Sequence, residues 1–141
     1  MKRALIISLA LLGAWFFLDM TGLYFGDVYL VTRSYAEDWI FLLAYAICLL
    51  SFFLFEKVGK YVLDAWLFLW FMTQFFFHWL FTFNGRGAEK IEYFSGSIKL
   101  IEIQNVYIPD LYHIVLHILI LLSLVLLNIY IFQSRKKRVA K

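Results

Sequence analysis

Charge is scarce in this chain: Asp, Glu, Lys and Arg make up only 16% of its 141 residues. A water-soluble domain of this size cannot cover its surface with so few polar side chains, so composition excludes that class. Proline and cysteine each occur once. With Cys48 alone, neither a disulfide framework nor a paired-cysteine redox relay can be built within one chain. There is no phosphate-cradling glycine-rich loop, no recognisable Ser/His/Asp spacing, and no internal repeat or low-complexity run. Nucleic-acid binding has no support beyond a short basic tail that directly follows an apolar run.

Apolar residues fill the space that charge leaves: 64% of the chain is hydrophobic and 21% aromatic. Measured against the roughly 20 apolar residues that cross a hydrocarbon core, four segments qualify: Ala4 to Leu18, Trp39 to Phe55, Ala65 to Phe83, and Leu111 to Phe132. The expected fold is an all-α integral membrane protein, a four-transmembrane-helix antiparallel bundle forming a single membrane domain over 1–141. The first segment follows Met1-Lys2-Arg3, as the apolar core of a secretory signal does. It runs into Trp15-Phe16-Phe17-Leu18-Asp19-Met20 with no small-x-small cleavage site, and is read as an uncleaved anchor.

Basic residues set the orientation. With the N-terminus inside, the inner segments hold Lys2, Arg3, Lys57, Lys60, Arg135, Lys136, Lys137, Arg138 and Lys141, and the outer loops hold only Arg33, Arg86, Lys90 and Lys99. Both termini are therefore expected to be cytoplasmic. The formal net charge of +3 hides a basic inner side and an acidic outer side. The inner tail, 133–141, is primarily a topology determinant and secondarily a contact for anionic lipids.

Among the connections, Glu56-Lys57-Val58-Gly59-Lys60 reads as a tight inner turn. Outer loop 19–38 is rich in aromatics. Outer loop 84–110 carries apolar runs on either side of Ser95-Gly96-Ser97, which predict a small surface hairpin, with an interfacial helix as competitor, forming an extracytoplasmic loop subdomain that lids the bundle.

Under that lid the three histidines converge. At about 1.5 Å per residue, His78 lies roughly 7 to 8 Å inside the outer end of the third span, and His113 and His117 bracket that depth on the fourth. His113-x-x-x-His117 puts two imidazoles one turn apart on one face. At 100° per residue, Asp110, His113, His117 and Asn128 share an arc of roughly 60°, and Asp64, Gln74, His78 and Thr82 one of roughly 80°. Asp38, Tyr45 and Cys48 form a third stripe. Polar stripes on apolar spans turn inward, away from lipid. Asp64 is expected to pair with Lys60 one turn earlier, with a proton or ion step involving Asn128 as the alternative.

Three imidazoles, a carboxylate and an open position suit a transition-metal ion, zinc first and copper or iron next. In that reading His78, His113 and His117 are the ligands. Asp110 activates a metal-bound water or completes the shell. The three-histidine set with His-x-x-x-His on one span resembles the chemistry of the ceramidase and adiponectin-receptor group, over three residues and with a different span count. A metal-dependent enzyme acting on a membrane-soluble substrate, or a metal-handling protein, is the first functional expectation. A haem-binding electron-transfer subunit is the second, ranked lower because bulky Phe, Trp, Leu and Ile surround the histidines where a porphyrin needs small residues. The third is an accessory or scaffolding subunit with purely structural histidines, in a homo-oligomer or larger membrane complex.

Overall fold

The computed structural model describes the backbone of residues 1–139 and the side chains of residues 1–136. It is mostly helical, and four helices are long and apolar enough to cross a membrane: α1 (Lys2–Thr21), α2 (Tyr35–Leu54), α3 (Glu56–Phe83), and a last helix over Leu111–Val139. A short helix, α4 (Ala88–Tyr93), precedes that last one, α5. Two strands, β1 (Leu23–Phe25) and β2 (Val28–Val31), lie between α1 and α2.

Each long helix buries a stripe spaced by three or four residues, the helical period. Leu5, Leu9, Leu12 and Phe16 do so on α1, Leu63, Leu67 and Trp70 on α3, and Tyr112, Leu116, Ile120 and Leu127 on α5. α1 packs against α2 and α5, and α3 packs against the same two helices. The faces turned away from this core are apolar as well, with Leu11, Ile47, Leu69 and Ile118 all more than half exposed.

The link between α2 and α3 is tighter than expected. Glu56 to Lys60 are not a turn but the start of α3, and Phe55 alone joins the two helices. Two contacts explain it. Phe55 carbonyl accepts the Gly59 N–H at 2.8 Å, and a Cβ at Gly59 would lie 2.1 Å from the Ser51 carbonyl oxygen. Gly59 is therefore needed for close approach of the two backbones, not for a turn conformation.

The two long loops, 19–38 and 84–110, also differ from the hairpin expectation. A hairpin does form, but in the first loop: Phe25 pairs with Val28 across Gly26-Asp27, and Gly26 takes a positive φ of 63° as such turns require. In the second loop Ala88–Tyr93 is helical, and the Ser95-Gly96-Ser97 segment closes a turn instead of a hairpin. The loops are stitched together where Tyr29 N–H donates to Gly96 O at 3.1 Å and Ile98 N–H donates to Tyr29 O at 2.9 Å. Together they form one lid across the end of the helices. At the far end Asp64 accepts from Asn128 Nδ2 at 2.8 Å and not from Lys60, whose ammonium sits 5.4 Å from the Tyr61 ring. Asn128, expected inside, is exposed. Of the basic tail, Arg135 and Lys136 are described; Lys137 and Arg138, as side chains, and Lys141 lie outside the described residues.

Candidate functional site

The lid end of the bundle holds a cavity of about 400 Å³, whose walls include His78, His113, Lys90, Asp19, Asp38 and Asp110. Every long helix contributes to it. His78 comes from α3, at a place where five residues, Phe75–Trp79, wind as a π-helix. Such wide turns are rare and recur at functional sites. This one changes the phase of α3 ahead of its last turn, and His78 is buried there.

His113 and His117 lie in the first two turns of α5. The first turn is held by Asp110, whose Oδ1 accepts the His113 backbone N–H at 2.9 Å and is 2.7 Å from His113 Nδ1. One buried carboxylate thus caps the helix and orients an imidazole. A carboxylate only accepts, so Nδ1 of His113 carries a proton, and in the neutral ring Nε2 keeps its lone pair.

The three rings do come together. The His78 and His113 centroids are 4.1 Å apart, those of His78 and His117 5.5 Å, and those of His113 and His117 6.4 Å. Their hydrogen bonds make them unequal. Trp79 Nε1–H donates to His117 Nδ1 at 2.7 Å. That fixes the remaining proton of a neutral ring on Nε2, which donates to Gln74 Oε1 at 3.2 Å. Both His117 nitrogens are then occupied.

His78 has a choice. Its Nδ1 lies 2.6 Å from the Tyr107 hydroxyl, a group that donates or accepts. Burial, and then the negative field of Asp110, hold the Tyr107 phenol above its usual range, so it keeps its proton, and in one arrangement that O–H donates to Nδ1. His78 then carries its own proton on Nε2. In the opposite tautomer Nδ1–H donates to the phenol oxygen and Nε2 is bare.

The carboxylates divide the same way. Asp19 accepts from the Tyr112 hydroxyl at 2.8 Å, and Tyr112 is in turn held by Trp15 Nε1, which donates to its carbonyl at 3.1 Å. Asp110 is taken by His113. Glu37 and Asp38, in the first turn of α2, have no hydrogen bond or ion pair from their side chains among the described residues.

Among the described residues, no group of three or more His, Cys, Asp or Glu side chains is placed to hold a metal ion. Sequence reasoning found His78, His113, His117 and Asp110, and the fold gathers all four. It missed Tyr107, Trp79 and Lys90, for which sequence gives no signal because they reach the site from the lid and from a π-turn. No family model matches the chain, and no curated protein or solved structure is significantly similar to it.

Proposed function

We propose that this chain is an integral membrane protein, a four-span antiparallel bundle with both termini cytoplasmic, and that its lid-end cavity is an acid–base site acting on a membrane-soluble molecule. The apolar outward faces of all four long helices and the bias of basic residues support the first part. One observation carries the second: Asp110 holds His113 by Nδ1, leaving a bare Nε2 beside His78 at the wall of a cavity.

In this reading His113 Nε2 takes a proton from water or from a substrate group. Asp110 stabilises the imidazolium that forms, so Asp110 is a positioning residue that acts through His113. His78, protonated on Nε2 while Tyr107 donates to its Nδ1, is the proton donor to a leaving group. Two neighbouring imidazoles with opposite free valences supply the two halves of a hydrolytic or transfer reaction. His117, with both nitrogens occupied, keeps Trp79 and Gln74 in place and has no reacting atom.

A second reading keeps the same residues and adds an ion. Both His78 and His113 have Nδ1 against an oxygen partner, the arrangement in which Nε2 ligates a metal and the oxygen orients the ring. Zinc, copper or iron would then sit on His78 and His113, with the remaining ligands coming from water, substrate or a cavity carboxylate, and His117 outside the shell. Haem has weaker support, since the two closest rings stand side by side, not on opposite faces of a plane. An accessory role is what remains if neither reading holds.

The test is lipid turnover. Purified protein in nanodiscs of a total lipid extract is incubated, and consumed and formed lipids are followed by mass spectrometry, with elemental analysis of the same preparation. The expected result is one lipid class consumed, turnover lost in His113→Ala and His78→Ala, and turnover retained in His117→Gln. Turnover lost on chelation and restored by zinc selects the metal reading. No consumption of any lipid, or consumption unchanged by His113→Ala, overturns the acid–base reading.

A further inference from the structure

The cavity carries opposite charges that do not meet. Lys90, on α4, lines it, and its ammonium lies 4.9 Å from the Phe81 ring, 5.5 Å from Tyr107 and 6.0 Å from Phe77. Among the described residues that ammonium has no ion pair and no hydrogen bond. Ring faces stabilise a cation but leave all three of its N–H donors free. Burial alone pulls Lys90 below the ordinary lysine range, with no carboxylate offsetting it. On another wall stand Glu37 and Asp38, the two cavity carboxylates without a partner. Neither makes a hydrogen bond or an ion pair with its side chain among the described residues, with Lys90 or otherwise, although Asp38 lies in the field of His113.

We propose that the cavity binds the zwitterionic headgroup of a phospholipid, with the phosphate on Lys90 and the ammonium between Asp38, Glu37 and the aromatic faces of Tyr29 and Phe94.

The chemistry of the walls selects this class. A purely anionic headgroup satisfies Lys90 but meets the unpaired Glu37 and Asp38 as like charges. A purely cationic ligand satisfies those carboxylates and leaves the half-buried Lys90 without an anion. A molecule that carries both a phosphate and an ammonium answers both. The aromatic walls suit the cation, particularly a quaternary one. Phe77 lines the cavity and is also 61% exposed on the apolar outer face, so the site meets the lipid-facing surface there. Acyl chains leave by that side while the headgroup stays inside. A phosphate on Lys90 also lies near His78, since the Tyr107 ring stands 5.5 Å from the Lys90 ammonium and its hydroxyl 2.6 Å from His78 Nδ1.

This proposal rests on the reading of the cavity as the membrane-facing reactive site, but it is tested by binding, not turnover. Detergent-purified full-length protein is mixed with phosphatidylethanolamine, phosphatidylcholine, phosphatidylglycerol, diacylglycerol or free phosphoethanolamine, and retained ligand is measured by native mass spectrometry. The zwitterionic lipids are expected to bind about tenfold or more tightly than phosphatidylglycerol and diacylglycerol, the worth of one charge-assisted contact at each pole. Lys90→Gln lowers that retention about tenfold and Lys90→Arg restores most of it. Asp38→Asn with Glu37→Gln lowers retention of the zwitterionic lipids and raises that of phosphatidylglycerol. Equal binding of free phosphoethanolamine supports the two-pole site and assigns it a soluble headgroup as ligand.

Phosphatidylglycerol bound as well as phosphatidylethanolamine overturns the proposal, as does Lys90→Gln with unchanged retention and unchanged melting temperature. The two ideas fail separately. If His113→Ala turns lipid over normally while Lys90→Gln loses binding, the headgroup assignment stands and the acid–base reading falls.

Discussion

The two halves of this molecule use the same four helices for different ends. Away from the lid, Leu5, Leu9, Leu63, Leu67 and Leu127 meet at essentially zero exposure. There α2 and α3 meet backbone to backbone, with Gly59 against Ser51. Under the lid the helices separate around about 400 Å³ of space with charged walls. Histidine, carboxylate and lysine there are buried or half-buried at a cost that packing does not recover. A fold that placed its polar residues for stability would pair them. Here Asp19, Asp110, His78 and His117 are paired, whereas Lys90, Asp38 and His113 Nε2 are left with open valences toward one cavity. The packed half holds the helices, and the open half is what they hold in place.

Damage to the packed half should have the largest effect on stability. Gly59→Ala forces a methyl against a carbonyl oxygen that belongs to backbone and cannot rotate away. A loss of about 3 kcal/mol is expected, the upper end for overpacking. Leu67→Ala, at zero exposure, leaves a void worth about 2 to 4 kcal/mol. Reversible unfolding in mild detergent measures both, with ligand retention followed in parallel. If either variant melts normally, the packed half is not the stabilising one. If headgroup binding disappears while the fold persists, the two halves are not separable.

The converse holds under the lid. His113→Ala is expected to lower turnover about 100-fold or more, with a smaller change in melting temperature than Leu67→Ala because His113 borders the cavity. Asp110→Asn tests how that imidazole is oriented. The amide still caps α5, so stability falls by less than about 1 kcal/mol. Turnover falls almost as far as in His113→Ala, because the amide no longer stabilises an imidazolium. Tyr107→Phe removes one hydrogen bond, about 1 kcal/mol. Its more specific effect is on His78, whose tautomer becomes free to change. Nitrogen-15 spectra of labelled histidine report that directly, and a His78 signal identical in the variant would show that Tyr107 does not set the tautomer.

How far the sequence foretold this differs between the same two halves. Apolar runs announce long helices, and all four are present, because predominantly apolar stretches of this length have few alternatives. Their ends were misjudged where polar residues continue a helix past the apolar stretch, as Tyr35 to Asp38 and Glu56 to Asp64 do. Gly59 misled most: a glycine among charged residues has the look of a turn, yet it serves a helix crossing. The hairpin was legible and overlooked, since Gly26-Asp27 between Leu23-Tyr24-Phe25 and Val28-Tyr29-Leu30-Val31 is a two-residue turn signature. At the site, helical spacing sufficed to bring the histidines to one depth and side. Their inequality was not legible. It depends on Trp79, displaced by a π-turn without a sequence signature, and on Tyr107, 29 positions from His78.

The smallest effect expected is at the rim of the packed half, where Lys2 Nζ lies 2.5 Å from Glu56 Oε2 with the two side chains 48% and 43% exposed. The Tyr130 hydroxyl also donates to Glu56. The geometry is close, and it joins the start of α1, the start of α3 and the last turns of α5. Exposed ion pairs nevertheless contribute about 0 to 1 kcal/mol, because water and salt screen them and two long side chains must be immobilised. Lys2→Ala should therefore lower stability by less than about 1 kcal/mol, and less still as salt rises. Its larger consequence is topological, since it removes one of the two basic residues at the N-terminal end of α1 and weakens the charge signal that, in the proposed topology, retains that end in the cytoplasm. Protease accessibility of the N-terminus in sealed vesicles separates the two roles. A variant with normal stability and partly inverted N-termini assigns Lys2 to topology, whereas a stability loss well above 1 kcal/mol with uniform orientation would make the rim as important to the packed half as the leucines beneath it.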